Sequence, residues 1–194
     1  GNEALDNEFK NEMSKVMSVL QCNRYKSKFF TKYSSGNNDY ISTIIRASNR
    51  VNQTEYVNIR DKIRIIEIFD NGTKQYLLRT DSLIWEITDE IQIINDMECI
   101  FAKGQSVTPG YSPEKVNVWF TKKYPLPFGP FGWHGLPGLI VQLQTGNMTY
   151  TAGIIKPVDA KNVILDPEAD ISNALRSDEY FMKMQKKKIL RKKN

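Results

Sequence analysis

The apolar pattern of the first 23 residues carries two overlapping signals. Leu5, Phe9, Met13, Val16, Met17 and Leu20 recur at three- and four-residue spacing, as on an amphipathic helix, while the run Val16, Met17, Val19, Leu20 and Cys22 also suits a strand. We place a loop or short helix at residues 3–14 and a strand at 15–23. Phe29, Phe30, Tyr33, Tyr40, Ile44 and Ile45 then surround a polar turn at 34–39. Asp39 stands where it would cap a short helix over 41–46. Residues 49–55 are polar and read as a connection.

The pattern then turns β. Ile63, Ile65, Ile66, Ile68 and Phe69 lead into Asp70-Asn71-Gly72-Thr73, followed by Tyr76, Leu77 and Leu78. Asn-Gly between such runs predicts a tight hairpin, because both residues tolerate positive φ. Further strands are expected at 83–87, 90–95, 97–102 and 116–121, with turns at Thr88-Asp89 and Asn95-Asp96 and a Gly/Pro/Ser loop over 104–113. Residues 139–144 and 149–155 form another hairpin around Thr145-Gly146-Asn147. Near the end, Asp166-Pro167-Glu168 and Ser177-Asp178-Glu179 each place a cap and acids at the start of a helix. About eight short strands in succession, without intervening helices, predict a mainly β (α+β by count) fold. The expected form is a single strongly curved antiparallel sheet or partly open β-barrel with short helices, one of them C-terminal.

Residues 124–140 interrupt this pattern. These 17 residues hold four of the eight prolines, four of the eleven glycines, the only histidine (His134) and four aromatics. No helix or central strand runs through such a segment. It is apolar apart from His134, so it must bury its side chains against the frame around it. Gly135 and Gly138 are the positions expected to need positive φ or close approach.

At 194 residues one domain is expected, long enough to bury a core without staples. We divide it into a short helical or irregular segment at 1–14, a β-rich domain at 15–182 and a basic tail at 183–194. The opening Gly1-Asn2-Glu3-Ala4 has neither Met nor an apolar signal region; it reads as the stub of a cleaved tag, with a targeting segment expected outside this sequence. No run approaches the roughly 18 apolar residues of a membrane-spanning helix. The net charge of +5 is concentrated: residues 182–194 carry seven cations and no acid, leaving −2 on the rest. A basic tail without a basic face argues against nucleic acid. It reads as a solvated end, with weak contact to acidic headgroups or an acidic partner as the alternative.

Candidate chemistry is sparse. With one histidine there is no His cluster for a metal, and no metal or cofactor is expected. Cys22 and Cys99 make no CxxC pair; an even count permits one disulfide, with free buried thiols as the alternative. No nucleophile elbow, zinc-protease motif, phosphate loop or dinucleotide fingerprint occurs. The acids Asp166, Glu168 and Asp170 lack the glycine and distal Glu of a calcium loop. Trp85, Trp119, Phe128, Phe131, Trp133 and His134 either pack as core or line a concave apolar pocket for a hydrophobic ligand.

Gly135, Leu136, Pro137, Gly138, Leu139 and Ile140 spell a hexapeptide, preceded by Trp119-Phe120-Thr121, Pro125, Pro127 and Phe128-Gly129-Pro130. With these residues the chain resembles the GLPGLI family, exported proteins of uncharacterised function from Gram-negative bacteria. Ser27 to Phe30, the Gly72 hairpin, Trp85-Glu86-Ile87 and the position of Cys99 extend the likeness over roughly residues 15–185. The chain departs from the family pattern in having Val118-Trp119, after a longer Gly/Pro insertion, where members carry Ala-Trp. The resemblance implies a periplasmic or outer-membrane-associated location after removal of a signal peptide. It supplies no catalytic residue.

Three functions remain open. The first is a non-enzymatic envelope protein that binds an apolar small molecule or an outer-membrane protein through its curved sheet and the 124–140 loop. The second is a hydrolase using His134 with Cys99 or a carboxylate. The third is a purely structural interaction module.

Overall fold

A computed structural model describes residues 3–34, 40–48, 50–70, 72–107, 112–172, 174–180 and 182–183. The expected cap Asp39, the turn residue Asn71 and the basic stretch 184–194 lie outside them. Helix α1 (Glu3–Met13) leads into β1 (Val16–Cys22) and β2 (Lys26–Tyr33), so both signals in the opening residues are used, one after the other. Helix α2 (Tyr40–Ser48) follows and packs near α1. Next come β3 (Gln53–Asn58), β4 (Ile63–Asp70) and β5 (Thr73–Leu78), then β6 (Ser82–Ile94), β7 (Met97–Val107), β8 (Glu114–Thr121), β9 (Leu139–Thr145) and β10 (Met148–Thr151). A two-residue strand, β11 (Leu175–Arg176), precedes a helical turn that begins at Ser177.

The fold is mainly β with short helices, including a C-terminal one. Its strands form two sheets that are not closed into a barrel, rather than one continuous curved sheet. The first sheet has the order β1-β2-β3-β4-β5-β11 and the second β10-β9-β8-β7-β6. Each is an antiparallel meander of consecutive strands, apart from β11, which runs parallel to β5. The division has a local cause. Between β5 and β6 the chain has only Arg79, Thr80 and Asp81. Instead of turning back in a hairpin, this link lets the Arg79 amide bond the Arg64 carbonyl at 2.8 Å and sends β6 into the second sheet. The edge that β5 leaves open takes β11, with Leu175 opposite Leu77 and Arg176 opposite Leu78.

Four other expectations change. The segment 49–55, read as a polar connection, instead runs into the buried strand β3 from Gln53 onward, whose inner residues are Glu55, Tyr56 and Val57. The strands expected at 83–87 and 90–95 are one strand, which ends at Ile94. Thr88-Asp89 does not reverse the chain but forms a bulge, in which three residues of β6 face Phe101 alone. The Thr88 hydroxyl repairs the break, donating to the Phe101 carbonyl (3.3 Å) and accepting from the Glu90 amide (3.2 Å). Gly104 lies inside β7, not in a loop, and faces Trp85 across the ladder. Asp166 starts no helix but pairs with Lys26 at 2.7 Å. The Asn95-Asp96 turn forms as expected, both residues at positive φ (49° and 58°), as a two-residue hairpin of this hand requires.

Two apolar clusters hold the molecule. The first brings Phe29 of β2 together with Ala102, Val116, Val118, Phe120, Ile140 and Leu143 of the second sheet and with Phe131, Trp133 and Leu136 from the segment between β8 and β9. The second contains Ile94, Met97, Cys99, Leu139 and Val141, covered by Leu20, Cys22, Trp119, Tyr124, Leu126, Ala152 and Ile155. Cys22 and Cys99 thus share a cluster, and both are free thiols whose pKa burial raises, that of Cys22 to about 11. Among the described residues no helix is long and apolar enough to cross a membrane.

A Cβ at Gly104 would come within 2.5 Å of the Trp85 ring and 2.8 Å of Val116 Cγ2. Gly104→Ala is therefore expected to lower unfolding stability by about 1–3 kcal/mol, the usual cost of overpacking a tight core. Urea denaturation with Trp fluorescence reads this directly; an unchanged midpoint would show that the indole can move aside freely.

A keystone loop over a buried charge cluster as candidate functional site

Residues 122–138 connect β8 to β9 and fold inward. The Tyr124 carbonyl accepts from the amides of Leu126 (2.8 Å) and Leu139 (3.0 Å), and the Pro127 carbonyl accepts from the Gly135 amide (3.0 Å). The Ile140 amide reaches the Phe128 carbonyl at 2.9 Å, and Phe128 also bridges to His134. Proline carbonyls remain useful acceptors although proline lacks a donor, so the loop satisfies its backbone without a regular ladder. Both expected glycines have a physical reason. Gly135 sits at φ +100°, and a Cβ at Gly138 would lie 2.2 Å from the Thr121 carbonyl oxygen. Gly132 is a third, at φ +70°, with a Cβ position 3.0 Å from Glu55 Oε2.

The six aromatic and histidine candidates do not converge on a cavity. Phe128, Phe131 and Trp133 are buried. Phe131, itself at φ +54°, is held edge-on between Phe29 (4.6 Å) and Tyr150 (4.8 Å), with the Arg50 guanidinium 5.0 Å from its ring centre. Trp85 meets Trp133 at 5.5 Å and donates its indole N–H to the His134 carbonyl at 2.9 Å. Trp119 is separate from these, packing on Phe101 and the second cluster. A cavity of about 250 Å³ lies elsewhere, lined by Asp96, Met97, Glu98, Ile100, Thr121, Lys122 and Lys123. None of the six candidates lines it.

His134 is half-buried, and its Nδ1 is 2.9 Å from the Gly132 carbonyl. A carbonyl only accepts, so Nδ1 carries the proton and Nε2 does not. Burial lowers the ring's pKa, opposed by the bond to Gly132, and Arg64 adds to the lowering. The ring's recorded hydrogen bond goes to backbone, not to a carboxylate or nucleophile. Cys99, the suggested partner, lies in the second cluster and points its thiol at the Met97 carbonyl. Among the described residues no group of His, Cys, Asp or Glu could hold a metal ion.

What sequence reasoning missed lies beneath the loop. Asp81, whose side chain is only 1% exposed, accepts from Arg79 Nε (2.6 Å), Arg79 Nη2 (2.8 Å), Arg64 Nη1 (2.8 Å) and the Ser106 hydroxyl. Burial opposes its ionisation, but the Arg79 hydrogen bonds, the two guanidinium charges and Ser106 outweigh it and hold its pKa well below the usual carboxylate range. Glu55, 2% exposed, differs. Among the described residues its nearest ion-pair partners, Arg50 Nη1 and Arg79 Nη1, are 3.8 Å away, and neither of its oxygens has a hydrogen-bond partner. Burial therefore raises its pKa despite the opposing pull of Arg79, Arg50 and Arg64. Arg50 turns its other nitrogen to Glu114 at 2.8 Å. A signal was present: Arg64 interrupts an isoleucine run, and Arg79 and Asp81 follow a strand with no solvent-facing pattern to explain them.

Two predictions follow from this geometry. Gly138→Ala must displace the Thr121 backbone and is expected to cost about 3 kcal/mol or more, whereas His134→Ala loses one side-chain bond, about 1 kcal/mol. Equal losses in denaturant melts would remove the keystone role from the glycine.

The two carboxylates should behave oppositely with pH. The folded pKa of Glu55 lies above its unfolded value, so the unfolded chain gives up this proton first and stability falls as pH rises past about 4. The folded pKa of Asp81 is depressed, so its contribution is present above the unfolded carboxyl range and is lost in acid. Glu55→Gln should remove the first slope and leave the protein as stable or more stable near neutrality. Asp81→Asn should cost about 3–5 kcal/mol there, because it leaves two guanidinium groups buried without their counter-charge and turns an NH2 donor toward them in place of an acceptor. Stability curves from mildly acid to neutral pH decide the matter; a neutral loss with Glu55→Gln as large as with Asp81→Asn would mean that Glu55 is ionised in the fold.

No family model matches this chain, and neither does any curated protein or solved structure.

Proposed function

We propose that this chain is a non-enzymatic, GLPGLI-type protein of the cell envelope that binds a protein partner through its sheet surface, with the 124–140 loop as an internal keystone. The observation that carries this reading is where the apolar side chains are spent. Phe128, Phe131, Trp133 and Leu136 are consumed in packing, while Ile84, Ile87, Ile91 and Ile93 of β6 stand exposed. A filled centre leaves little room for an apolar small molecule, whereas an exposed apolar strip on a sheet suits a protein surface. His134 is engaged with backbone and separated from Cys99, which weighs against the hydrolase reading. The envelope location is carried by the hexapeptide resemblance, and an adhesive role for the basic tail is a subsidiary part of the proposal.

The test is to express the full gene in a Gram-negative host, fractionate the cells, and take the purified protein into native mass spectrometry. The expected result is envelope recovery and a mass equal to the polypeptide, with no stoichiometric adduct. A retained lipid-sized adduct would replace the partner reading with the ligand reading. Turnover of generic ester or peptide substrates that disappears in His134→Ala would establish the enzyme instead.

A further inference from the structure

We propose that the free edge of β6 is a docking strip for an extended segment of another protein with alternating apolar and basic residues, which joins the second sheet as a sixth strand. This rests on the partner-binding reading above and names the partner's chemistry. β6 is 13 residues long and lies at the end of its sheet, paired with β7 on one side only. An edge strand presents a row of free backbone donors and acceptors, which an incoming strand can use whatever its sequence.

The side chains narrow the choice. Ile84, Ile87, Ile91 and Ile93 are 57%, 51%, 61% and 65% exposed. Cross-strand partners share a face, and Trp85, Ile87, Ile91 and Ile93 lie opposite Gly104, Ala102, Ile100 and Glu98. Trp85 and Ile100 pack on the first core cluster, so Ile87, Ile91 and Ile93 continue that core face past the point where the protein covers it. The strand also holds Glu86, Asp89 and Glu90 and no basic residue. Glu86 has a long, exposed pair with Lys103 at 3.6 Å; Asp89 and Glu90 have no ion pair among the described residues. Glu86 shares the opposite face with Ile84, and Asp89 and Glu90 stand in the bulge. Apolar side chains on the core face, with cations at the alternate positions to meet these acids, would therefore complement β6, the pattern of a strand alternating apolar and basic.

Charge disfavours two other occupants. A second copy pairing antiparallel about Thr88 would set Glu86 against Glu90, and in any register it would add three acids and no cation to an edge that already carries three acids and no cation. The chain's own tail is basic, but Lys186, Lys187 and Lys188 are consecutive, as are Arg191, Lys192 and Lys193. Such runs put cations on both faces of a strand, including the one that the isoleucines occupy.

The experiment uses the full chain and a fluorescent synthetic peptide alternating Val and Lys, with binding read by anisotropy and β6 followed by amide hydrogen exchange. Expected are saturable binding, protection of β6 amides, and an affinity loss of about tenfold in the exposed triple variant Glu86→Gln, Asp89→Asn, Glu90→Gln. Fully N-methylated peptide, unable to pair through its backbone, and a Val/Glu peptide should both fail to bind. No binding, or binding indifferent to the triple variant, overturns the proposal. Tighter binding of a peptide of residues 182–194 would assign the strip to the chain's own tail, and acid-sensitive dimerisation would assign it to a second copy; either also overturns it. An envelope partner whose cross-links lie away from β6 would end this inference but keep the partner-binding reading. A bound lipid with no effect on peptide binding would do the reverse.

Discussion

A single buried carboxylate decides how the two halves of this chain meet. Asp81 lies at the end of the three-residue link between the sheets and gathers donors from β4 (Arg64), from the link itself (Arg79) and from β7 (Ser106). Removing a carboxylate and two guanidinium groups from water costs several kcal/mol per ion and is recovered only with near-complete hydrogen bonding. Asp81 reaches that condition and Glu55 does not. Net stabilisation from such a cluster is small, but its directional demands are strict, so the link has few ways to run. The second sheet therefore starts where it does, with β6 leading away from β5.

The loop depends on this floor. Gly132 passes close over Glu55 at positive φ, Phe131 is pinned beside the Arg50 guanidinium, and Trp85 fixes the His134 carbonyl. Each contact joins the loop to a different element: β3, the turn after α2, and β6. Irregular backbone is tolerated inside a protein only where its polar groups are paired. Prolines that remove donors and glycines that allow close approach meet that requirement together. The hexapeptide is then read as a packing device, whose last two residues, Leu139 and Ile140, already belong to β9.

Local signals were legible and long-range ones were not. The Gly72 and Asn95 hairpins, β8 and β9 could be read because turn chemistry and apolar runs act over a few residues. β3 was missed because its inward side chains include Glu55, a residue that sequence reasoning assigns to the surface. The bulge in β6 imitates a turn, since Thr88-Asp89-Glu90 is polar in either case. The division into two sheets depends on Arg64, Arg79, Asp81 and Ser106 meeting in space, and no periodicity encodes that. At the loop, the two glycines were identified for the right reason, while the aromatics around them were sorted into core only by the packing itself.

The free edges are the reason the proposed partner is assigned to β6 rather than to another strand. Of the four terminal strands, β11 has two residues and β10 has four. β1 is a seven-residue strand whose Leu20 and Cys22 are partly committed to the clusters. β6 is longer than any of these, and among the described edge strands it alone combines a row of exposed isoleucines with unbalanced charge. Proteins normally blunt such an edge with charge or a bulge, and β6 carries both. Yet blunting that served only to prevent aggregation would not need the isoleucines, since polar residues at those positions would do it more simply. On the proposed reading, acids that repel further copies of the same strand, set among apolar residues that reward a complementary one, would make the edge selective rather than closed.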